Sequence, residues 1–308
     1  MDYFIWNFDP EIFRVGSFGP RYYGLMFAMG FLVCYKVCEI IWKREKHDEE
    51  LLSPLLVHLM LGTIIGARLG HCLFYDPVYY LSNPLRILKI WEGGLASHGG
   101  TLGCIISVWL FCRKHPNEPY GWIADRLATA IPFCAACIRI GNFFNSEIVG
   151  KATTVPWAII FTRWDQAQKL PPTPRHPAML YEAASYLILF AILMFRYFIS
   201  KKPIKPGSQI GLMMIWIFGS RIFLEGFKEN QKAFEDGLLL NMGQILSIPF
   251  VVAGVLLFTG LYRRWLPSGY AHLENDLFAR VPEPGSQKTS PKKQEQKTKS
   301  KGKKKKKR

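Results

Sequence analysis

Nothing in these 308 residues matches a Walker phosphate loop, an H-E-x-x-H zinc helix, a Rossmann glycine fingerprint or a Ser-His-Asp spacing. Each of those patterns exists because its chemistry needs those groups at that separation. Nucleotide and metal chemistry therefore have no support, and neither a cofactor nor a metal is expected. Acid is scarce, with 23 Asp and Glu against 39 Lys and Arg. The first twenty residues lack the basic n-region of a cleavable signal peptide, so none is expected. No internal repeat is found, which counts against a transporter built from matched halves. The seven cysteines (Cys34, Cys38, Cys72, Cys104, Cys112, Cys134 and Cys137) all lie in or beside apolar runs. Cys134 and Cys137 form a C-x-x-C inside such a run and read as small packing residues rather than a metal or redox pair.

Apolar runs are what the chain has in quantity. Hydrophobic residues make up 49% and aromatics 14%, concentrated in stretches of the length that crosses a bilayer. Seven spans are expected: Tyr22–Trp42, Leu51–Phe74, Leu95–Cys112, Trp122–Phe144, Ala178–Ile199, Gln209–Phe227 and Gly243–Tyr262. The fold class is therefore all-α, a polytopic membrane protein. Trp42, Trp122 and Trp265 fall at span ends, where interfacial aromatics gather. Lys43, Arg44 and Lys46, then Arg113 and Lys114, then Lys201, Lys202 and Lys205 occupy alternate loops. Excess Lys and Arg mark the cytoplasmic side, which puts the N-terminus in the periplasm and the C-terminus in the cytoplasm. The formal charge of +16 is mostly a tail effect: from Val281 onward 12 Lys and Arg face Glu283 and Glu295. Residues 1–266 form the membrane domain, and residues 267–308 a disordered Lys-rich tail attracted to anionic inner-leaflet lipids. The core is not basic enough to suggest a nucleic-acid partner.

Two arginines sit inside apolar runs. A guanidinium is expensive in lipid, so it faces a protein interior or a wet cavity. Arg139 precedes Asn142 by three residues, which puts both on one helix face. Glu147 and Gly150 follow as that run ends, and Glu225 lies one turn beyond Arg221. Arginine binds phosphate bidentately and stays charged, so two arginines from distant helices can converge on one anionic group such as a phospholipid headgroup. The second span carries a Gly62-x3-Gly66-x3-Gly70 ladder, which lets a neighbouring backbone approach closely, together with Arg68. The stretch from Trp91 to Gly103 holds His98 among Gly93, Gly94, Gly99, Gly100 and Gly103. Glycine disfavours helix, so a re-entrant or broken opening to the third span is expected there.

These residues resemble the prolipoprotein diacylglyceryl transferase family of bacteria. The resemblance is carried by Arg139-Ile-Gly-Asn-Phe-Phe-Asn-Ser-Glu147 with Gly150, by Tyr22-Tyr-Gly-Leu-Met26, and by Gly66-Ala-Arg-Leu-Gly70. It continues through Trp91-Glu-Gly-Gly94, Ser97-His-Gly-Gly100, Arg175-His-Pro177 with Leu180-Tyr-Glu182, Arg221 with Glu225, and Met242-Gly-Gln-Ile-Leu-Ser-Ile-Pro249. It implies an inner-membrane enzyme that moves the diacylglyceryl group of phosphatidylglycerol to the lipobox cysteine of a preprolipoprotein signal peptide, releasing glycerol 1-phosphate. By that resemblance Arg139 and Arg221 hold the phosphate. His98 either takes the thiol proton or positions the headgroup. Tyr23 and Asn142 hydrogen-bond the headgroup, Glu147 and Glu225 orient the arginines, and Gly150 allows close backbone approach.

The chain departs from the family pattern at Ser146, where glycine is usual, at Val149 and Gly226, where aromatics are common, and at Lys228, where arginine is usual. Two other readings remain open at this stage: a transporter for an anionic solute, since buried arginines also mark solute pathways, and a lipid-binding scaffold without catalysis.

Overall fold

A computed structural model describes residues 2–14, 19–74, 76–90, 94, 96–116, 118–200, 204–229, 240 and 242–264. The side chains of Ser97, His98, Met242, Arg263 and Arg264 lie outside that description, as do Trp91, Trp265 and the whole Lys-rich tail. Among the described residues are the helices α1 (Tyr22–Glu45), α2 (Leu52–Phe74), α3 (Pro77–Ser82), α4 (Ser97–Lys114), α5 (Tyr120–Asn145), α6 (Thr162–Ala167), α7 (Ala178–Met194), α8 (Ser208–Leu224) and α9 (Met242–Thr259). Every expected span coincides with one of the seven longer helices, to within a few residues at each end. Among the described residues, five segments are long and apolar enough to cross a membrane: α1, α2 with the turn before it, α5, α7 with its extension to Ile199, and α8 with its extension to Phe227. The helix α4 is diluted by the polar, glycine-rich turn at its start and by Arg113 and Lys114 at its end, and α9 is short.

The chain is not wholly helical. Among the described residues, three short strands, β1 (Phe4–Trp6), β2 (Ile159–Phe161) and β3 (Pro174–Arg175), form one sheet in which β1 runs parallel to β2 and β3 antiparallel to it. This sheet ties the N-terminal segment to the loop between α5 and α7. Trp6 anchors it, donating from Nε1 to the Phe143 carbonyl at 3.1 Å with its ring 4.2 Å from that of Phe143.

Packing is pairwise: α1 lies chiefly on α5, α2 on α4, α8 on α9, and α5 also on α7. From Ser97 to Gly103 the glycine-rich stretch is helix, while Trp91–Gly93 and Leu95, the rest of the expected broken opening, lie outside the described residues. The helix runs continuously from Ser97, because its glycines meet those of α2. A Cβ added at Gly66 would lie 2.8 Å from the Gly103 Cα, and one at Gly99 would lie 2.9 Å from the Gly70 Cα. Small residues on both helices let the backbones touch, and the contact repays the poor helix propensity of glycine. The amide of Ala96 donates to the Ala67 carbonyl at 2.9 Å, fastening the start of α4 to α2.

The largest apolar cluster gathers the last turns of α1 with α2, α4 and the start of α5: Ile41, Trp42, Leu55, Phe111, Trp122 and Ile123 are all nearly inaccessible. Trp42 and Trp122 are thus core residues rather than an interfacial belt, and their rings meet edge-on 4.7 Å apart. Two carboxylates inside the bundle are held here by several donors each. Glu45 of α1 accepts from Trp122 Nε1 at 3.0 Å, from Arg126 Nη2 at 3.0 Å and from the Tyr197 hydroxyl. Asp125, completely buried, accepts the amides of Gly207, Gln209 and Ile210 at 3.2, 2.9 and 3.0 Å. It caps α8 from another helix, since the residue before α8 is glycine and has no side chain to do so.

Candidate active site

The opposite end of the bundle receives the start of α1, the end of α5, the start of α7 and the end of α8. The last turns of α5 carry Arg139 and Asn142, as the three-residue spacing implies, and Arg139 Nη1 donates to Asn142 Oδ1 at 3.2 Å. The helix closes at Ser146 with φ 54°, and Ile148 follows with φ 57°. Left-handed backbone is uncommon for any side chain and a true outlier for a β-branched one, so Glu147 is flanked by two strained residues. That strain turns Glu147 back over the helix end. Its amide donates to the Asn142 carbonyl at 2.9 Å, and its carboxylate accepts from Asn142 Nδ2 at 2.9 Å and Asn145 Nδ2 at 3.1 Å.

Glu147 is expected to orient Arg139, but the structure gives that place to Glu182 of α7. Arg139 Nε lies 2.9 Å from Glu182 Oε2, and Glu182 has no accessible surface. The other oxygen of Glu182 accepts from Lys228 Nζ at 3.0 Å, and Lys228 donates also to Glu225 at 2.9 Å. Glu225 in turn faces Arg221 Nε at 3.7 Å. The order is therefore Arg139, Glu182, Lys228, Glu225, Arg221, a continuous buried chain of alternating charge. It brings together Arg139, Arg221, Asn142, Glu147 and Glu225 of the expected set. Glu182 and Lys228 are the links that residue spacing did not assign. Glu182 is the only carboxylate in its apolar run, and a buried charge needs a partner; that was the available signal.

The remaining expected residues stand as follows. The Tyr23 ring lies against α5 at Gly141, between Arg139 and Asn142: a Cβ at Gly141 would be 2.8 Å from Tyr23 Cδ2. Gly150 makes its close approach to protein backbone. Its amide donates to the His176 carbonyl at 2.9 Å, and a Cβ there would sit 2.8 Å from the Phe227 carbonyl oxygen. Gly150 and Lys228 form an isolated antiparallel bridge, so the glycine fixes the strand from which Lys228 points inward. His98 belongs to the first turn of α4, and its side chain lies outside the described structure. Arg68 is a clamp. Its guanidinium donates to the carbonyls of Arg86 at 2.6 Å, Ile87 at 2.9 Å and Gly94 at 3.3 Å, holding the segment that leads into α4.

Two buried polar atoms in the chain of charges, Arg221 Nε and Glu182 Oε2, have no hydrogen-bond partner of good geometry. Buried polar groups are normally satisfied, so the centre retains capacity for a further polar group. Among the described residues no cluster of His, Cys, Asp and Glu has the form of a metal site.

Fold and site together define a polytopic helical membrane protein with a buried arginine centre at one end of its helices. Residues 10–259 match the family described as prolipoprotein diacylglyceryl transferase. Proteins named phosphatidylglycerol–prolipoprotein diacylglyceryl transferase from Tolumonas auensis, Bacteroides fragilis and Chloroherpeton thalassium are similar to it. They are 45% identical over 252 residues, 47% over 262 and 41% over 255, covering 82%, 81% and 83% of this chain and 95%, 92% and 93% of their own. The chain belongs to the prolipoprotein diacylglyceryl transferase family, and it is an enzyme, a transferase of lipoprotein biosynthesis.

Proposed function

We propose that this enzyme transfers the diacylglyceryl group of phosphatidylglycerol to the thiol of the lipobox cysteine in a preprolipoprotein signal peptide. The cysteine sulfur attacks the glycerol carbon that carries the phosphate ester. A carbon–sulfur thioether forms, the carbon–oxygen bond breaks, and glycerol 1-phosphate leaves with the bonding electron pair. The observation that carries this reading is the chain of charges joining Arg139 to Arg221, in which Arg221 Nε is buried without a hydrogen bond. A phosphodiester supplies acceptor oxygens for two guanidiniums, and negative charge grows on it as it leaves. Fixed cations stabilise that charge most where water is excluded.

In this reading Arg139 and Arg221 hold the phosphate, Asn142 and Tyr23 contact the headgroup, and Glu147 sets the orientation of Asn142. His98, in the first turn of α4, takes the thiol proton; a free thiol titrates at about 8.5 and attacks as the thiolate. No cofactor or metal takes part. The family name and the alternating basic loops support a place in the bacterial inner membrane, with seven spans, a periplasmic N-terminus and a cytoplasmic C-terminus. The Lys-rich tail, residues 267–308, is then attracted to anionic inner-leaflet lipids.

The test is an in vitro transfer assay on the full chain in detergent, with phosphatidylglycerol and a lipobox peptide. Glycerol phosphate release and peptide mass gain should rise together, and both should vanish with Arg139→Ala or with a peptide whose cysteine is serine. Intact lipid binding without transfer by the wild type would overturn the reading and favour a transporter.

A further inference from the structure

Lys228 is a buried cation in the chain of charges that no step above uses. Its side chain is 3% exposed, and its ammonium lies between two carboxylates, 3.0 Å from Glu182 and 2.9 Å from Glu225. Each of those carboxylates serves one arginine. Arg139 and Arg221 alone would be neutralised by Glu182 and Glu225, and a neutral centre has no net attraction for an anion. With Lys228 the buried set holds three cations and two carboxylates, a net of +1 (Arg139, Arg221 and Lys228 against Glu182 and Glu225). Glu147 stands apart at the exposed mouth, engaged with two neutral amides, where water screens it.

Lys228 is also held in a fixed place. Its amide donates to the Glu225 carbonyl at 3.1 Å, and its neighbour Phe227 offers its carbonyl to Lys151 at 2.8 Å, beside the bridge to Gly150. The ammonium therefore comes from a short extended segment stitched to the loop after α5, not from a helix that could turn away.

We propose that Lys228 is a positioning residue for phosphate binding: it occupies Glu182 and Glu225 so that neither fully satisfies its arginine, and it leaves the buried centre with a net positive charge. The anion it serves is the phosphodiester of the donor lipid, so the proposal rests on the phosphatidylglycerol reading above. The task needs a cation that reaches both carboxylates, which the ammonium does as a point charge.

Two consequences separate binding from chemistry. Lys228→Met takes the centre to zero and frees both carboxylates to fold onto the arginines. Glu182→Gln takes it to +2 but leaves Arg139 Nε without its anchor. The double variant Lys228→Met/Glu182→Gln returns the net to +1 and leaves no surplus carboxylate buried, so it keeps the test open if the single lysine variant fails to fold.

The experiment measures kcat and apparent KM for phosphatidylglycerol in mixed micelles, with inhibition by glycerol 1-phosphate, using the full chain and a lipobox peptide. Lys228→Met is expected to raise KM and the inhibition constant at least tenfold, and Lys228→Arg to stay within about threefold of wild type. Glu182→Gln should lower kcat at least tenfold with no rise in KM. The double variant should return KM to within about threefold while kcat stays low. A wild-type KM and inhibition constant in Lys228→Met would overturn the proposal, and so would a double variant whose KM is raised at least tenfold. If the wild type transfers and only these patterns fail, the transferase reading stands without the role of Lys228. If the wild type does not transfer, both fall.

Discussion

Replacing Ser146 by glycine should make this protein more stable, and the gain can be worked from the structure. Ser146 closes α5 with φ 54° and ψ 41°. A side chain in that region costs about 1–2 kcal/mol, because its Cβ crowds the following carbonyl. Glycine removes that cost but makes the unfolded chain more flexible, which takes back about 0.4–1 kcal/mol. The Ser146 hydroxyl is also buried and has no hydrogen-bond partner, and removing such a group recovers about 1–3 kcal/mol. The net for Ser146→Gly is a gain of about 1.5–4 kcal/mol. Ser146→Ala isolates the parts, since alanine loses the hydroxyl and keeps the strain. The assay is the unfolding free energy of both variants in mild detergent titrated with a denaturing one. Glycine should exceed alanine by roughly the strain less the entropy, about 0.5–1 kcal/mol. Because Glu147 is still tethered through its amide and by both asparagines, transfer activity should stay within about twofold. If Ser146→Gly is less stable than wild type, or no better than Ser146→Ala, the strain argument is wrong.

Four other substitutions have defined outcomes. Asp125→Ala removes the acceptor for the amides of Gly207, Gln209 and Ile210, and should cost about 3–5 kcal/mol of unfolding free energy, since bonds to a charged group contribute about 1.5–3 kcal/mol each and are not additive. Gly66→Val forces α2 and α4 apart and should destabilise by about 1–3 kcal/mol, whereas Gly219→Ala, whose Cβ meets nothing within 4 Å, should stabilise α8 by up to about 1 kcal/mol; the same denaturation assay ranks them. Arg68→Ala releases the carbonyls of Arg86, Ile87 and Gly94, and amide hydrogen exchange across residues 84–90 should quicken at least tenfold while α5 and α7 are unaffected.

The helices were legible because apolar length needs no knowledge of neighbours. Arg139 and Arg221 were legible for the converse reason: a guanidinium in such a run is too costly to be incidental. Their partners were harder. The family resemblance implied that Glu147 orients an arginine, whereas in the structure the carboxylate beside Arg139 is Glu182 from another helix. Spacing along one helix predicts only contacts on that helix, and pairing across a bundle depends on how helices cross. The same limit hid Asp125, the only acidic residue within α5, which caps a helix more than eighty residues away. Glycine patterns misled in a different way. Propensity alone argued for a break between Trp91 and Gly103, but from Ser97 onward packing against the α2 ladder outweighs propensity. Trp42 and Trp122 fell at span ends as a belt would, yet they pack on each other around Glu45 because the loops there fold back over the bundle.

The two ends of the bundle handle buried charge in opposite ways, and that contrast bears on the proposed role of the site. Around Glu45 the arginine, the indole and the phenol all aim at one carboxylate, and around Asp125 three amides do the same. Such closed networks offer little to a ligand; they fix how α1, α5, α7 and α8 sit together. At the other end of those helices, the chain from Arg139 to Arg221 has a 3.7 Å gap at Glu225 and a buried Arg221 nitrogen without a hydrogen bond. The Glu45 and Asp125 networks each close on a single carboxylate, whereas the chain from Arg139 to Arg221 does not close. The rigid end holds the helices that carry Arg139, Glu182 and Arg221, and the incomplete end is where an anionic group would make up the missing contacts. Loosening the closed end should therefore impair transfer without touching the site, and Asp125→Asn, which keeps the side-chain shape and removes its charge, should lower kcat through α8 while the stability of the α2–α4 pair is unchanged.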